Sequence, residues 1–139
     1  MKQNFEWFQD KKSINVKIYV GATSLKKIDV FLSDLVIKVN VQDSNFLKII
    51  DLHAEIDYLN NENLTLYERG TLELYLIKKE PGVWPDLAVK NISKEDLIKR
   101  REASLKRKEE YEKEFESQKS DLKISMSLLD PLILILAPN

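Results

Sequence analysis

With one histidine, no cysteine and three glycines, this 139-residue chain has little from which to build a reaction centre. Without cysteine there is no thiolate nucleophile, no disulfide and no Cys-based zinc site. His53 falls out of phase with Leu52 and Ala54, which predicts an exposed ring with no second imidazole to share a metal. No Ser-His-Asp arrangement can be placed around it. Asp29, Asp34, Asp51 and Asp57 fall at predicted strand ends and turns, where aspartate bonds local backbone. No glycine spacing forms a phosphate cradle. The expectation is a protein without catalytic residues, metal ligands or cofactor. The side chains left for function are those that bind other proteins. Tyr19 is out of phase with Ile18 and Val20 and so points away from a core, as an interface anchor would. Trp7 and Phe8 are adjacent, so only one can turn inward; with Trp7 in the core, Phe8 is the second outward aromatic. Lys78 and Lys79 end a strand as solvated charges that could meet an acidic partner and discourage sheet-to-sheet pairing. Trp84 is expected to pack across the end of the domain.

These residues need elements to carry them. A hydrophobic share of 43% is enough for a real core, and a net charge of -1 gives no global attraction to nucleic acid or an anionic membrane. The N-terminus lacks the apolar run of a secretory signal. No apolar segment reaches the roughly 18 residues needed to span a bilayer, so a soluble, cytoplasmic protein is the expectation. Ile14, Val16, Ile18 and Val20 alternate with polar residues, the period of a half-buried strand. Residues 28–32 and 35–41 read as two more strands joined at Ser33-Asp34. Residues 46–57 read as one long strand with Ile50, Leu52, Ala54 and Ile56 on one face. Residues 64–67 and 72–77 form a hairpin about Arg69-Gly70. With residues 5–9 this predicts an all-β fold, a seven-stranded antiparallel β-sandwich occupying residues 1–90.

Pro81, Gly82 and Pro85 end the sheet region. Ser93 with Asp96 three residues on is a helix-start signal, and strong helix formers follow. Residues 91–118 therefore read as a charged helical extension, a solvated spacer with one contacting edge at most. Lys99-Arg100-Arg101 and Lys106-Arg107-Lys108 are followed by a run of glutamates that cancels their field, so no nucleic acid is expected as partner. In residues 119–139, Leu122, Ile124, Met126 and Leu128 alternate like a strand, and residues 132–137 are uninterruptedly apolar. That run needs a cover, which the sandwich or another copy would supply, unless it marks a shortened gene model.

The ordered set of pieces resembles the CS domain of Hsp90-linked co-chaperones. The matching pieces are Phe5-Glu6-Trp7-Phe8-Gln9, Ile14-Asn15-Val16-Lys17-Ile18, Leu35-Val36-Ile37-Lys38-Val39, residues 72–80, and Trp84-Pro85-Asp86-Leu87. Ser93-Lys94-Glu95 and Arg101-Glu102-Ala103-Ser104 extend the likeness to the CS domain of the dyslexia-susceptibility type, implicated in preassembly of axonemal dynein arms. The resemblance implies a non-catalytic adaptor that binds an Hsp90-type chaperone or its clients. In SGT-type domains two outward aromatics and a lysine make that contact. The aromatics match Phe8 and Tyr19; the lysine position falls at about Thr71, leaving Lys17 or Lys38 to substitute. The residues after Leu87 do not match the acidic co-chaperone, so inhibition of chaperone ATPase activity is not implied. The alternative is a structural assembly module, acting in a multiprotein complex through the helix and tail.

Overall fold

Alternation in the sequence becomes two stacked sheets because each strand is apolar on one side only. A computed structural model describes residues 5–42 and 44–128, the last fourteen of them by backbone alone. The strands are β1 (Phe5–Gln9), β2 (Ser13–Tyr19), β3 (Ile28–Leu32), β4 (Val36–Val41), β5 (Leu47–Asp51), β6 (Leu64–Glu68) and β7 (Thr71–Ile77). One 3-10 turn, Leu25–Lys27, precedes β3, and a helix, α1, spans Lys94–Leu128. All pairings are antiparallel, in a four-stranded sheet of order β1-β2-β7-β6 and a three-stranded sheet of order β3-β4-β5. The expected seven-stranded sandwich is the observed fold. Ile14, Val16 and Ile18 of β2, Leu72, Leu74 and Leu76 of β7, and Ile37 and Val39 of β4 are fully buried between the sheets. Each such side chain contributes about 1.5–3 kcal/mol relative to exposure.

Two expectations are corrected. The long strand over residues 46–57 stops at Asp51; beyond it Leu52 and Ile56 make single bridges to Ala88 and Lys78. The chain changes partners there, with Ile56 N–H donating to Asp34 and Asp57 N–H to Ile77. Leu52 and Ile56 still point into the core, at 0% and 1% exposure, so the alternation outlasts the strand that it implied. The strand-like alternation of residues 122–128 is likewise overruled, because α1 runs on to Leu128. No Gly or Pro interrupts the chain from Lys94 to that point, and four alternating apolar positions do not outweigh an already nucleated helix. Residues 132–137 lie outside the described residues.

The helix starts as its cap predicts: Asp96 N–H donates to Ser93 Oγ at 3.1 Å and Leu97 N–H to Ser93 O at 2.9 Å. The chain divides into two units, Met1–Leu105 and Lys106–Asn139. The first holds both sheets and the opening turns of α1. In the second, Lys108 and Glu112 pair one turn apart at 2.6 Å.

Candidate protein-docking face

The register of the four-stranded sheet sets its outer face row by row. Phe8, Asn15, Tyr75 and Leu64 lie side by side across the four strands; Glu6, Lys17, Glu73 and Leu66 form the next row; Tyr19, Thr71 and Glu68 form the third. Phe8 is 56% exposed and Tyr19 40%, while Leu64 and Leu66 are both 55% exposed. Apolar side chains thus frame a charged centre. Trp7, one residue from Phe8, packs against the core. The adjacent aromatics divide between the two faces as a pleated strand requires.

Polar contacts orient these aromatics. The Tyr19 hydroxyl hydrogen-bonds the Glu6 carboxylate, which raises its pKa above the ordinary tyrosine value. Lys17 Nζ lies 5.7 Å from the Phe8 ring centre, within cation–π range. Asn15 Nδ2 donates to Glu73 Oε2 at 2.8 Å. At the end of the face, Arg69 and Gly70 both have positive φ, 49° and 82°, as a two-residue turn between twisted strands demands. Tyr67 OH donates to Gly21 O at 2.8 Å and accepts from Thr23 N–H at 2.9 Å, tying the loop after β2 to this hairpin. A groove of about 350 Å³ results, lined among others by Tyr19, Lys17, Glu6, Thr71 and Arg69.

Arg69 was missed in the sequence, where it reads only as a turn residue. Two positions before Thr71, it supplies a cation beside the position where the resemblance wants a lysine. Lys17 shares the face with Phe8 and Tyr19. Lys38 does not: it projects from the three-stranded sheet, between Phe31 and Ile49, and cannot substitute at Thr71. Lys79 is half exposed and pairs with Glu55 at 3.3 Å.

Lys78 is corrected outright. Far from being a solvated charge, it is 4% exposed, and its ammonium donates to Gln9 Oε1 at 2.8 Å, to Asp10 O at 2.7 Å and to Gly82 O. It also lies 5.3 Å from the Trp84 ring centre. Burial pushes its pKa below the ordinary lysine value, and the Asp10 charge partly opposes that shift. Gln9 bonds Trp84 at both backbone N–H and O, so Trp84, 5% exposed, is held across the end of the sandwich. His53 is half-buried rather than exposed, its ring 5.9 Å from that of Trp84.

The start of α1 is fastened to the sandwich along one edge, with Ser104 buried and Arg100 and Arg101 half-buried while most of its other residues stay exposed. Ser104 is fully buried; it donates to Asp34 Oδ1 and accepts from Leu35 N–H at 3.2 Å, with Ser33 Oγ at 2.8 Å. Because a hydroxyl has one proton, its donation to Asp34 leaves Ser33 as donor in the last contact. Arg101 forms two parallel bonds to Asp51 at 2.8 and 2.7 Å, which raise the arginine pKa further. Arg100 donates to Leu52 O and His53 O. Among the described residues there is no cluster of three or more His, Asp or Glu able to hold a metal, and no helix is long and apolar enough to cross a membrane.

No family model matches the chain. Its sequence is 30% identical over 110 residues to dynein axonemal assembly factor 4 of Mus musculus, covering 79% of this chain and 25% of that protein. The Rattus norvegicus counterpart is 28% identical over 119 residues, covering 86% of this chain and 27% of the relative. The chain thus spans about a quarter of the length of the curated relatives it matches. Among solved structures it is similar to the CS domain of human KIAA1068 protein, with TM-score 0.51 and 23% identity, covering 67% of this chain and 82% of that one. The nuclear movement protein of E. cuniculi gives TM-score 0.51 and 20% identity over 63% of this chain and all of its own. The sandwich has the CS fold.

Proposed function

We propose that this CS-fold chain is a non-catalytic protein-interaction module whose docking surface is the outer face of the four-stranded sheet. The observation that carries the reading is the pair of outward aromatics, Phe8 and Tyr19, held over a face that also presents Lys17 and Arg69. Exposed, pre-oriented aromatics beside cations are what interface anchors consist of, since little side-chain entropy is left to lose on binding. The partner is an Hsp90-type chaperone or one of its clients, in the cytoplasm. No membrane and no nucleic acid take part.

Calorimetry with the isolated nucleotide domain of the chaperone tests this. The expected result is binding that Tyr19→Ala or Phe8→Ala weakens about tenfold or more, as loss of an anchor does. Arg69→Ala is expected to weaken it less. Absence of binding by the unaltered chain, at concentrations where other CS domains bind, rejects the chaperone as partner.

A second reading rests on a different observation. The likeness to dynein axonemal assembly factor 4 runs over 110 residues, more than the sandwich alone. In this reading the module joins a dynein-arm preassembly complex through its helix and tail. A partner contact that survives both Phe8→Ala and Tyr19→Ala, yet disappears when the chain is cut after Glu116, assigns the function to the extension.

A further inference from the structure

One polar atom on the outer face of the four-stranded sheet has nothing to bond. Asn15 stands in the middle of β2, in the row that runs from Phe8 through Asn15 and Tyr75 to Leu64. Its neighbours on both adjoining strands are therefore aromatic. Asn15 Nδ2 donates to Glu73 Oε2 at 2.8 Å, and that contact fixes which way the carboxamide faces, because a carboxylate only accepts. Turned over, it would set oxygen against oxygen. Oδ1 is left as a buried acceptor with no hydrogen-bond partner among the described residues. Neighbouring polar groups of the face are engaged. Lys17 lies over the Phe8 ring, and the Tyr19 hydroxyl bonds Glu6.

A buried acceptor without a donor weakens the free domain, since it has left water and gained no bond in exchange. An apolar residue of the same size would suit a row of Phe8, Tyr75 and Leu64 without that penalty. Asparagine gains a use there when a donor arrives from outside. We propose, on the reading of this face as a docking surface, that Asn15 is its specificity-determining residue. The docking protein brings an N–H donor to Asn15 Oδ1, between the Phe8 and Tyr75 rings. Phe8 is 56% exposed on the edge strand β1, so its ring has room to change rotamer and admit the donor. The new bond needs little further desolvation, because Oδ1 is dry already. A competitor of the same shape without the donor leaves Oδ1 unpaired under a larger surface, and is rejected for that reason. Phe8 and Tyr19 supply affinity, and Asn15 selects.

Asn15→Leu tests the proposal, with Phe8→Ala measured beside it. Leucine keeps the size of asparagine, removes the acceptor and leaves the half-buried Glu73 to water. The melting temperature is expected to stay level or rise, while affinity for the chaperone's nucleotide domain falls about tenfold. In the unaltered chain, the carboxamide carbon of Asn15 is expected to shift downfield on binding, as it does when an amide oxygen accepts. A clearly lowered melt shows that Oδ1 is already satisfied in the free chain and overturns the proposal. Unchanged affinity, or a carboxamide carbon that does not move, overturns it as well. If Phe8→Ala weakens the complex and Asn15→Leu does not, the docking face stands and only the role of Asn15 falls. If neither weakens it, both fall together. Absence of binding by the unaltered chain ends the proposal along with the chaperone as partner.

Discussion

The outer face of the four-stranded sheet and the polar seals of the sandwich are built from the same residue types and behave oppositely. On the face, Lys17, Glu6 and Tyr19 are paired yet wet, so their contacts orient side chains at little cost and contribute little stability. In the seals, Ser104, Asp34 and Lys78 are 0–4% exposed, so each must be satisfied or the fold is weakened. Polar groups open to water are available to a partner, whereas the same groups sealed away hold the domain shut. Substitutions should separate the two.

The largest effect is expected at the helix seal. Ser104→Ala removes the hydroxyl that donates to Asp34 and accepts from Ser33 and Leu35, leaving buried groups short of a partner. A loss of about 2 kcal/mol in a urea melt is expected. A change near zero places the helix off the sandwich in solution. The Arg101–Asp51 pair is next. Arg101 is 41% exposed at its side chain and Asp51 14%, so a double-mutant cycle with alanine is expected to give a coupling of about 1 kcal/mol, reduced by salt. Arg101→Lys should recover only part of it, because an ammonium cannot make both bonds at once.

The face should answer differently. Phe8→Ala and Tyr19→Ala are each expected to change stability by no more than about 0.5 kcal/mol while weakening partner binding about tenfold or more. Equal losses of stability and binding would erase the contrast between the two regions.

The face was legible in the sequence and the seals were not. Placing Phe8 and Tyr19 outward needs only the period of two and their immediate neighbours, and the sheet obeys both. Asp34 looked like a turn aspartate, and its backbone does lie in the turn between β3 and β4. What the local pattern cannot contain is that Ser104, 70 residues away, delivers its hydroxyl there. Lys78 was misplaced for a related reason. It follows the last apolar residue of β7, where lysines are commonly solvated, but the bridge from Ile56 and the return of residues 81–87 bury it. Arg69 escaped notice because turn chemistry explains a residue's backbone and says nothing of what its side chain lies beside.

Lys78 allows the smallest and most specific test, because it is a cation inside a seal. Burial holds its pKa below the ordinary 10.5 of lysine. Between that lowered value and 10.5 the unfolded chain binds more protons than the folded one, so its contribution to stability rises with pH through this window. Other lysines and the tyrosines titrate nearby, so the useful quantity is the difference between unaltered chain and Lys78→Met. Methionine retains the length of the stem and cannot ionise. The difference is expected to shift in favour of the unaltered chain as pH climbs from neutrality into the alkaline range, then level off. Parallel curves would mean that the ammonium is hydrated in solution, and Lys78 would then belong with the open face.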